Sequence, residues 1–151
     1  MKCLVQRVSS ACVKVDGKTV GNIGSGLLVL LGVAPDDDEA IADAMAKKTV
    51  SLRIFSDLNG KMNLSLADVS GEALIVSQFT LYADCRKGNR PSYTGACEPI
   101  KADRLYGYFC RAVEAYGVKT EKGIFGADMK VSLVNDGPVT VMLDSDIILK
   151  R

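Results

Sequence analysis

Alternation of apolar and polar residues dominates both ends of this chain, and helical spacing appears twice between them. Ala11, Val13 and Val15 alternate with Cys12 and Lys14, and Asp16-Gly17 then supplies a turn before Thr19-Val20, so Val5 to Ile23 reads as short antiparallel strands. The continuous apolar run Leu27 to Val33 fits a strand covered on both faces and is expected to be central. Pro35 and the acidic run Asp36 to Glu39 mark a helix start, and Ile41, Ala44, Met45 and Lys48 carry helical spacing to about Val50. Leu52 to Phe55 reads as a strand, Asp57 to Gly60 as a turn, Met62 to Leu66 as a short extended piece of open type, and Glu72 to Tyr82 as a second strongly apolar strand. Asp84 to Gly95 is loop-like. A second helix starts near Pro99, presents Leu105, Phe109, Ala112, Val113 and Tyr116 on one face, and stops at Gly117. Asp128 to Val134 should turn Met129, Val131 and Leu133 inward, and Val139 to Leu143 resumes as strand. With no repeat or linker in sight, residues 1–151 are expected to form one mixed α/β domain rich in antiparallel strands.

Gly137-Pro138 interrupts what would otherwise be one strand from Leu133 to Leu143. Proline has no N–H for a ladder, and X-Pro bonds are the only peptide bonds for which cis is accessible at low cost. The pair reads either as a rigid functional tip with exposed carbonyls or as an ordinary tight turn, which Asn-Asp-Gly-Pro chemistry also suits. A second candidate is Ser77-Gln78-Phe79-Thr80-Leu81, which places hydroxyls, an amide and backbone N–H groups at the end of an apolar strand, where ligands commonly meet a sheet. Simple alternation, with Gln78 and Thr80 toward water and Phe79 and Leu81 toward the core, accounts for the same residues.

Composition narrows the chemistry. A net charge of +1 gives no global pull on nucleic acid or membrane, so a polyanion must be met by a local patch. The first residues lack an apolar signal region and the longest apolar run, Leu27 to Ala34, is too short to span a bilayer, so a cytoplasmic protein with no membrane partner is expected. Five cysteines in no CxxC pair argue against a disulfide framework or a zinc knuckle. Histidine is absent, which removes the usual triad base, proton shuttle and catalytic zinc ligand. Neither metal nor cofactor is expected, and an enzyme built from this chain needs another base or none.

Taken together, these residues resemble the D-aminoacyl-tRNA deacylases. Ser77 to Leu81 is similar to that family's SQFTL motif, and Asn135-Asp136-Gly137-Pro138-Val139-Thr140 to its NxGPxT motif. The resemblance extends through Val5-Gln6-Arg7-Val8, Asn63-Leu64-Ser65, Arg86-Lys87-Gly88 with Arg90-Pro91-Ser92, and Phe125 to Met129.

The resemblance implies a barrel-like pair of sheets with two main helices, and hydrolysis of the ester joining a D-amino acid to the terminal adenosine of tRNA. Glycine mischarged on tRNA-Ala would also be cleared. The partners implied are aminoacylated tRNA and a second subunit, with the active site at the homodimer interface and a cis Gly137-Pro138 entering the neighbouring site. There the two carbonyls would hold the substrate amino group and leave no room for an L side chain. Ser77, Gln78, Phe79 and Thr80 are the catalytic candidates. Gly137, Pro138, Arg7, Asn135, Phe125 and Met129 are the substrate-binding candidates, with Arg7 bracing the Gly-Pro motif. Given a tRNA substrate, Arg86, Lys87 and Arg90 are candidates for phosphate contact. Thr80 as nucleophile would need a base; the alternative is assistance from the ribose 2′-OH, with backbone N–H groups near Phe79 and Thr80 stabilising the oxyanion. An accessory nucleic-acid-binding protein without catalysis and a purely structural strand-exchanging dimer are the competing readings.

Overall fold

The computed structural model describes residues 1–149. In chain order its elements are β1 (Lys2–Val15), β2 (Lys18–Ile23), β3 (Gly26–Gly32), α1 (Glu39–Val50), β4 (Phe55–Ser56), β5 (Met62–Leu64), β6 (Glu72–Ser77), α2 (Pro99–Glu114), β7 (Thr120–Lys122), β8 (Lys130–Asp144) and α3 (Ser145–Ile148). A 3-10 turn over Phe79–Tyr82 follows β6.

β1 is the spine of the sheet. It pairs antiparallel with β3 along Lys2 to Val8 and with β2 along Ala11 to Val15, and its opposite edge is taken by β8 from Lys2 to Lys14. β6 then runs parallel to β3, and β7 parallel to β6. The sheet curls until β2 approaches β7. A Cβ on Gly21 would lie 2.8 Å from the Lys122 carbonyl oxygen, so a side chain there would hold the barrel open.

Two apolar clusters explain this curl. Cys3, Val5, Leu27, Val29, Leu31, Ala73 and Ile75 face α1 and α2, where Met45, Leu105 and Phe109 are buried against them. Val8, Ala11, Val13, Leu28, Leu74 and Val76 fill the barrel interior. β3 and β6 thus contribute alternate residues to both cores, which is why they read as unbroken apolar runs. In β1 the buried set shifts from Cys3 and Val5 to Val8 and then to Ala11 and Val13. The change of core falls beside Arg7, where the pairing with β8 is also irregular.

Several expectations need correction. Rather than several short strands from Val5, the chain opens with one 14-residue strand, Lys2–Val15, and its hairpin partner Lys18–Ile23, because β1 serves three partners. Strand at Leu52–Phe55 shrinks to Phe55–Ser56. The apolar strand from Glu72 ends at Ser77 and gives way to the 3-10 turn, so Gln78 to Tyr82 is not extended. The acidic run does start α1 as expected, Asp38 capping the Ile41 N–H, while its neighbour Asp37 has a separate role, buried against the Met1 ammonium at 2.6 Å. Met129 and Val131 pack inward on the barrel core, and Leu133 shares the face of Val131 opposite buried Ala11 but is itself exposed. β7 and the short α3 were not anticipated; three residues are too few to show a period.

Candidate active site

A pocket of about 550 Å³ opens beside the end of β6. Its floor and one wall come from Val76, Ser77, Gln78 and Phe79, and the facing wall from Phe125, Met129 and Val131. The third side is made of small groups, Ala96, Cys97, Pro99 and Ala102, at the entry to α2. Motifs distant in sequence meet here because β6 and β7 run parallel and leave their ends on the same side of the sheet.

The Ser77–Thr80 segment is held by main chain. The Gln78 N–H donates to the Leu31 carbonyl at 2.8 Å, which extends the β3–β6 pairing one step past the strand. Gly32 then allows the turn to close down: a Cβ there would stand 3.1 to 3.2 Å from the Tyr82 ring, the Gln78 carbonyl oxygen and the Leu81 Cβ. As the first residues of a helical turn, Phe79 and Thr80 have N–H groups with no carbonyl one turn behind them. Phe79 is exposed at 55% and meets Tyr93 edge-on, with ring centroids 5.1 Å apart. Gln78 Nε2 donates to Thr80 Oγ1.

The opposite wall is held by packing. Phe125 leans on Tyr106 of α2, with centroids 6.2 Å apart, and the Tyr106 hydroxyl donates to the Ile75 carbonyl at 2.8 Å. Burial pushes the Tyr106 phenol above its ordinary range, so it remains a donor at neutral pH. Burial also pushes the Cys97 thiol up, leaving it protonated and a poor nucleophile.

Other sequence candidates lie elsewhere. Thr80 borders the pocket segment but does not line it, and neither do Arg7, Asn135, Gly137 or Pro138. The Gly137-Pro138 peptide is cis. It sits in a bulge of β8, because Asn135 faces Val8 and Thr140 faces Gln6, leaving residues 136–139 opposite Arg7 alone. Arg7 Nε donates to the Asp136 carbonyl at 2.8 Å and Nη1 to the Ile54 carbonyl at 2.6 Å, tying the bulge to the segment before β4. Asn135 turns its carboxamide on Val139 rather than on the pocket. A Cβ on Gly137 would lie 2.3 Å from the Val139 nitrogen, so the bulge requires glycine.

Arg86 is engaged by Asp84 at 2.6 Å, and its guanidinium holds that exposed carboxyl down to about 2. Lys87 and Arg90 make no ion pair among the described residues. No group of three metal-ligating side chains occurs among the described residues.

Sequence reasoning missed Tyr93, Ala96, Cys97, Ala102 and Tyr106. Alanines and a cysteine lining a wall look like spacers in a sequence, and Tyr106 looks like one more core residue of α2. Only the Pro99 helix start hinted that this end of α2 is placed with care.

The chain is similar to the D-aminoacyl-tRNA deacylase of Desulfatibacillum aliphaticivorans, with 61% identity over 145 residues, 96% of this chain and 99% of that protein. Its likeness to the protein of the same name from Thermosipho africanus is 59% identity over 145 residues, covering 96% and 97%. A solved structure described as c-Myc DNA Unwinding Element Binding Protein shares the fold with a TM-score of 0.90 and 39% identity, covering 96% of this chain and 99% of that one. Another, described as a probable eukaryotic D-amino acid tRNA deacylase, has a TM-score of 0.82 over 94% and 97%; at 19% identity that likeness concerns the fold alone. The D-Tyr-tRNA(Tyr) deacylase family model matches residues 4–144, and the chain belongs to that family.

Proposed function

We propose that this protein hydrolyses the ester of D-aminoacyl-tRNA, and of glycine mischarged on tRNA-Ala, as a cytoplasmic homodimer whose active sites are shared between subunits. The observation that carries this reading is a divided site: the pocket lies at the end of β6, whereas the Gly137-Pro138 bulge projects from β8 and lines no part of it. On the same edge strand Leu133, Val134 and Met142 are exposed, apolar side chains along which a second copy would pack. Such a copy brings the Gly137 and Pro138 carbonyls of one subunit to the pocket of the other. Main-chain carbonyls there take the substrate ammonium, and a wall without rotamers rejects an L side chain while passing glycine.

Chemistry then falls to positioning. Thr80 Oγ1 is hydrogen-bonded by the Gln78 amide, a donor that cannot remove a proton, so nothing in contact with the hydroxyl activates it as a nucleophile. The Phe79 and Thr80 N–H groups stabilise the oxyanion, and the 2′-OH of the terminal ribose assists attack on an ester that is already activated. Phe125, Met129 and Phe79 supply apolar surface for the aminoacylated 3′ end. Lys87 and Arg90, with Arg86 beside them, meet phosphates further along the tRNA.

The 39% identical neighbour described as binding a DNA unwinding element favours a second reading, nucleic-acid binding without hydrolysis. Catalytic amounts of purified protein incubated with D- and L-tyrosyl-tRNA separate the two. Release of free D-tyrosine with L-tyrosyl-tRNA spared is expected; tight binding with no turnover establishes the accessory reading, and equal cleavage of both enantiomers removes the chiral gate. A 2′-deoxy terminal adenosine should be cleaved far more slowly, whereas normal cleavage of it combined with a dead Thr80→Ala variant makes Thr80 the nucleophile.

A further inference from the structure

Residues 136–139 make no ladder pair with β1 to set their shape, yet the neck of the bulge is closed by a set of side chains that stand in for the missing ladder. Asn135 Oδ1 accepts from the Val139 N–H at 2.8 Å and its Nδ2 donates to the Val139 carbonyl at 3.1 Å. A partner strand would make the same pair of bonds to a ladder residue, one from N–H and one to C=O. The same Nδ2 also reaches Thr140 Oγ1 at 3.3 Å, and that oxygen accepts from Gln6 Nε2 of β1 at 3.2 Å. The hydroxyl of Thr140 is therefore the knot between the neck of the bulge and the spine strand.

We infer that Gln6, Asn135 and Thr140 form a clasp that fixes the direction of the Gly137 and Pro138 carbonyls, and so are positioning residues for enantiomer discrimination. This rests on the reading of those carbonyls as the chiral gate. Residues 136–139 hang from the clasp at one end and from Arg7 at the other, and the two holds act on different atoms: Arg7 grips the Asp136 carbonyl, the clasp grips Val139. Between them lie only Gly137 and Pro138. Releasing Val139 lets the second carbonyl swing while the first stays anchored, which widens the space facing an L side chain without dismantling the pocket.

The test compares kcat/KM on D- and L-tyrosyl-tRNA for the wild-type protein and for Thr140→Val, Thr140→Ser and Pro138→Ala, with a melting temperature for each. Thr140→Val keeps the side-chain shape and removes the hydroxyl, and the L-to-D ratio should rise about tenfold, the scale of one lost hydrogen bond. Thr140→Ser restores the hydroxyl and should return the ratio close to wild type, a rescue that a loss of stability alone does not produce. Should Thr140→Val fail to fold, Asn135→Asp keeps the acceptor for the Val139 N–H and loses both donations, and should raise the ratio likewise. An unchanged ratio in Thr140→Val beside a raised one in Pro138→Ala overturns the clasp and leaves the gate standing. An equal rise in Thr140→Val and Thr140→Ser also overturns it, since the hydroxyl is then not the cause. If neither Thr140→Val nor Pro138→Ala changes the ratio, the gate itself is wrong and the clasp falls with it.

Discussion

The turn at Ser77–Thr80 and the bulge at Asp136–Val139 are the two halves of one proposed site, yet they are held by opposite means. The turn is an extension of the core: its Gln78 N–H continues the β3–β6 pairing, and it fits against β3 because Gly32 has no side chain. The bulge stands off the sheet, and side chains hold it, Arg7 at one end and Asn135 at the other. Main-chain support carries over many side-chain changes but not a lost glycine. Polar side-chain support is concentrated, because each hold on the bulge is made by one side chain and is lost with it.

The largest effect separating the two halves should come from Arg7→Met. Each hydrogen bond from the guanidinium to a carbonyl contributes about 1.5–3 kcal/mol, and both are lost together. Turnover of D-tyrosyl-tRNA should fall on the order of 100-fold, and Arg7→Lys should not restore it, since one ammonium cannot reproduce a fork that spans two carbonyls. The ion pair to exposed Asp136, at 3.5 Å, adds little. Turnover within a few-fold of wild type in Arg7→Met would show the bulge to be supported by backbone after all. In the other half, Gly32→Ala introduces a methyl at 3.1 to 3.2 Å from three atoms of the turn and should displace it by a few tenths of an ångström. A drop in kcat of about tenfold, with KM little changed, is expected from such a misplacement; a silent Gly32→Ala would mean that the turn has slack and that its geometry is not what catalysis uses.

How much of this could be read in the sequence follows from the same contrast. β3 and β6 were legible because burial on both faces leaves an unbroken apolar run, and α1 and α2 because their caps and apolar faces are local. The Asn135–Thr140 motif was legible as a break because proline cannot continue a ladder. Its brace by Arg7 came only from the family resemblance, since Arg7 and Asp136 lie 129 positions apart and nothing local in either segment announces the contact, and the hold of Asn135 on Val139 was not expected at all. The end of β6 was misjudged for a related reason: Phe79 and Leu81 continue the apolar alternation, but the chain turns at Gln78 where β3 ends and pairing runs out. Leu133 does lie on the inward face that periodicity gives it, but periodicity cannot say whether an apolar position on that face is covered by its own core or, as proposed, by another copy of the chain.

The smallest effect sharpens the comparison from the pocket side. Tyr106 makes a polar bond across the molecule, from α2 to the Ile75 carbonyl, and by that measure it looks like a counterpart of Arg7. The difference lies in what remains after its removal. The Ile75 carbonyl also accepts from the Gly123 N–H at 3.1 Å, so Tyr106→Phe leaves no orphaned acceptor, and the ring still packs on Phe125. The cost should sit near the low end for a neutral hydrogen bond, about 1 kcal/mol, which lowers the melting temperature by roughly 2–4 °C in a chain of this size. KM for D-tyrosyl-tRNA should rise no more than about twofold with kcat unchanged, because a wall made by packing keeps its position when one bond of several is lost. A tenfold rise in KM would place the pocket wall under the same single-residue polar control as the bulge, and the distinction between the two halves would no longer hold.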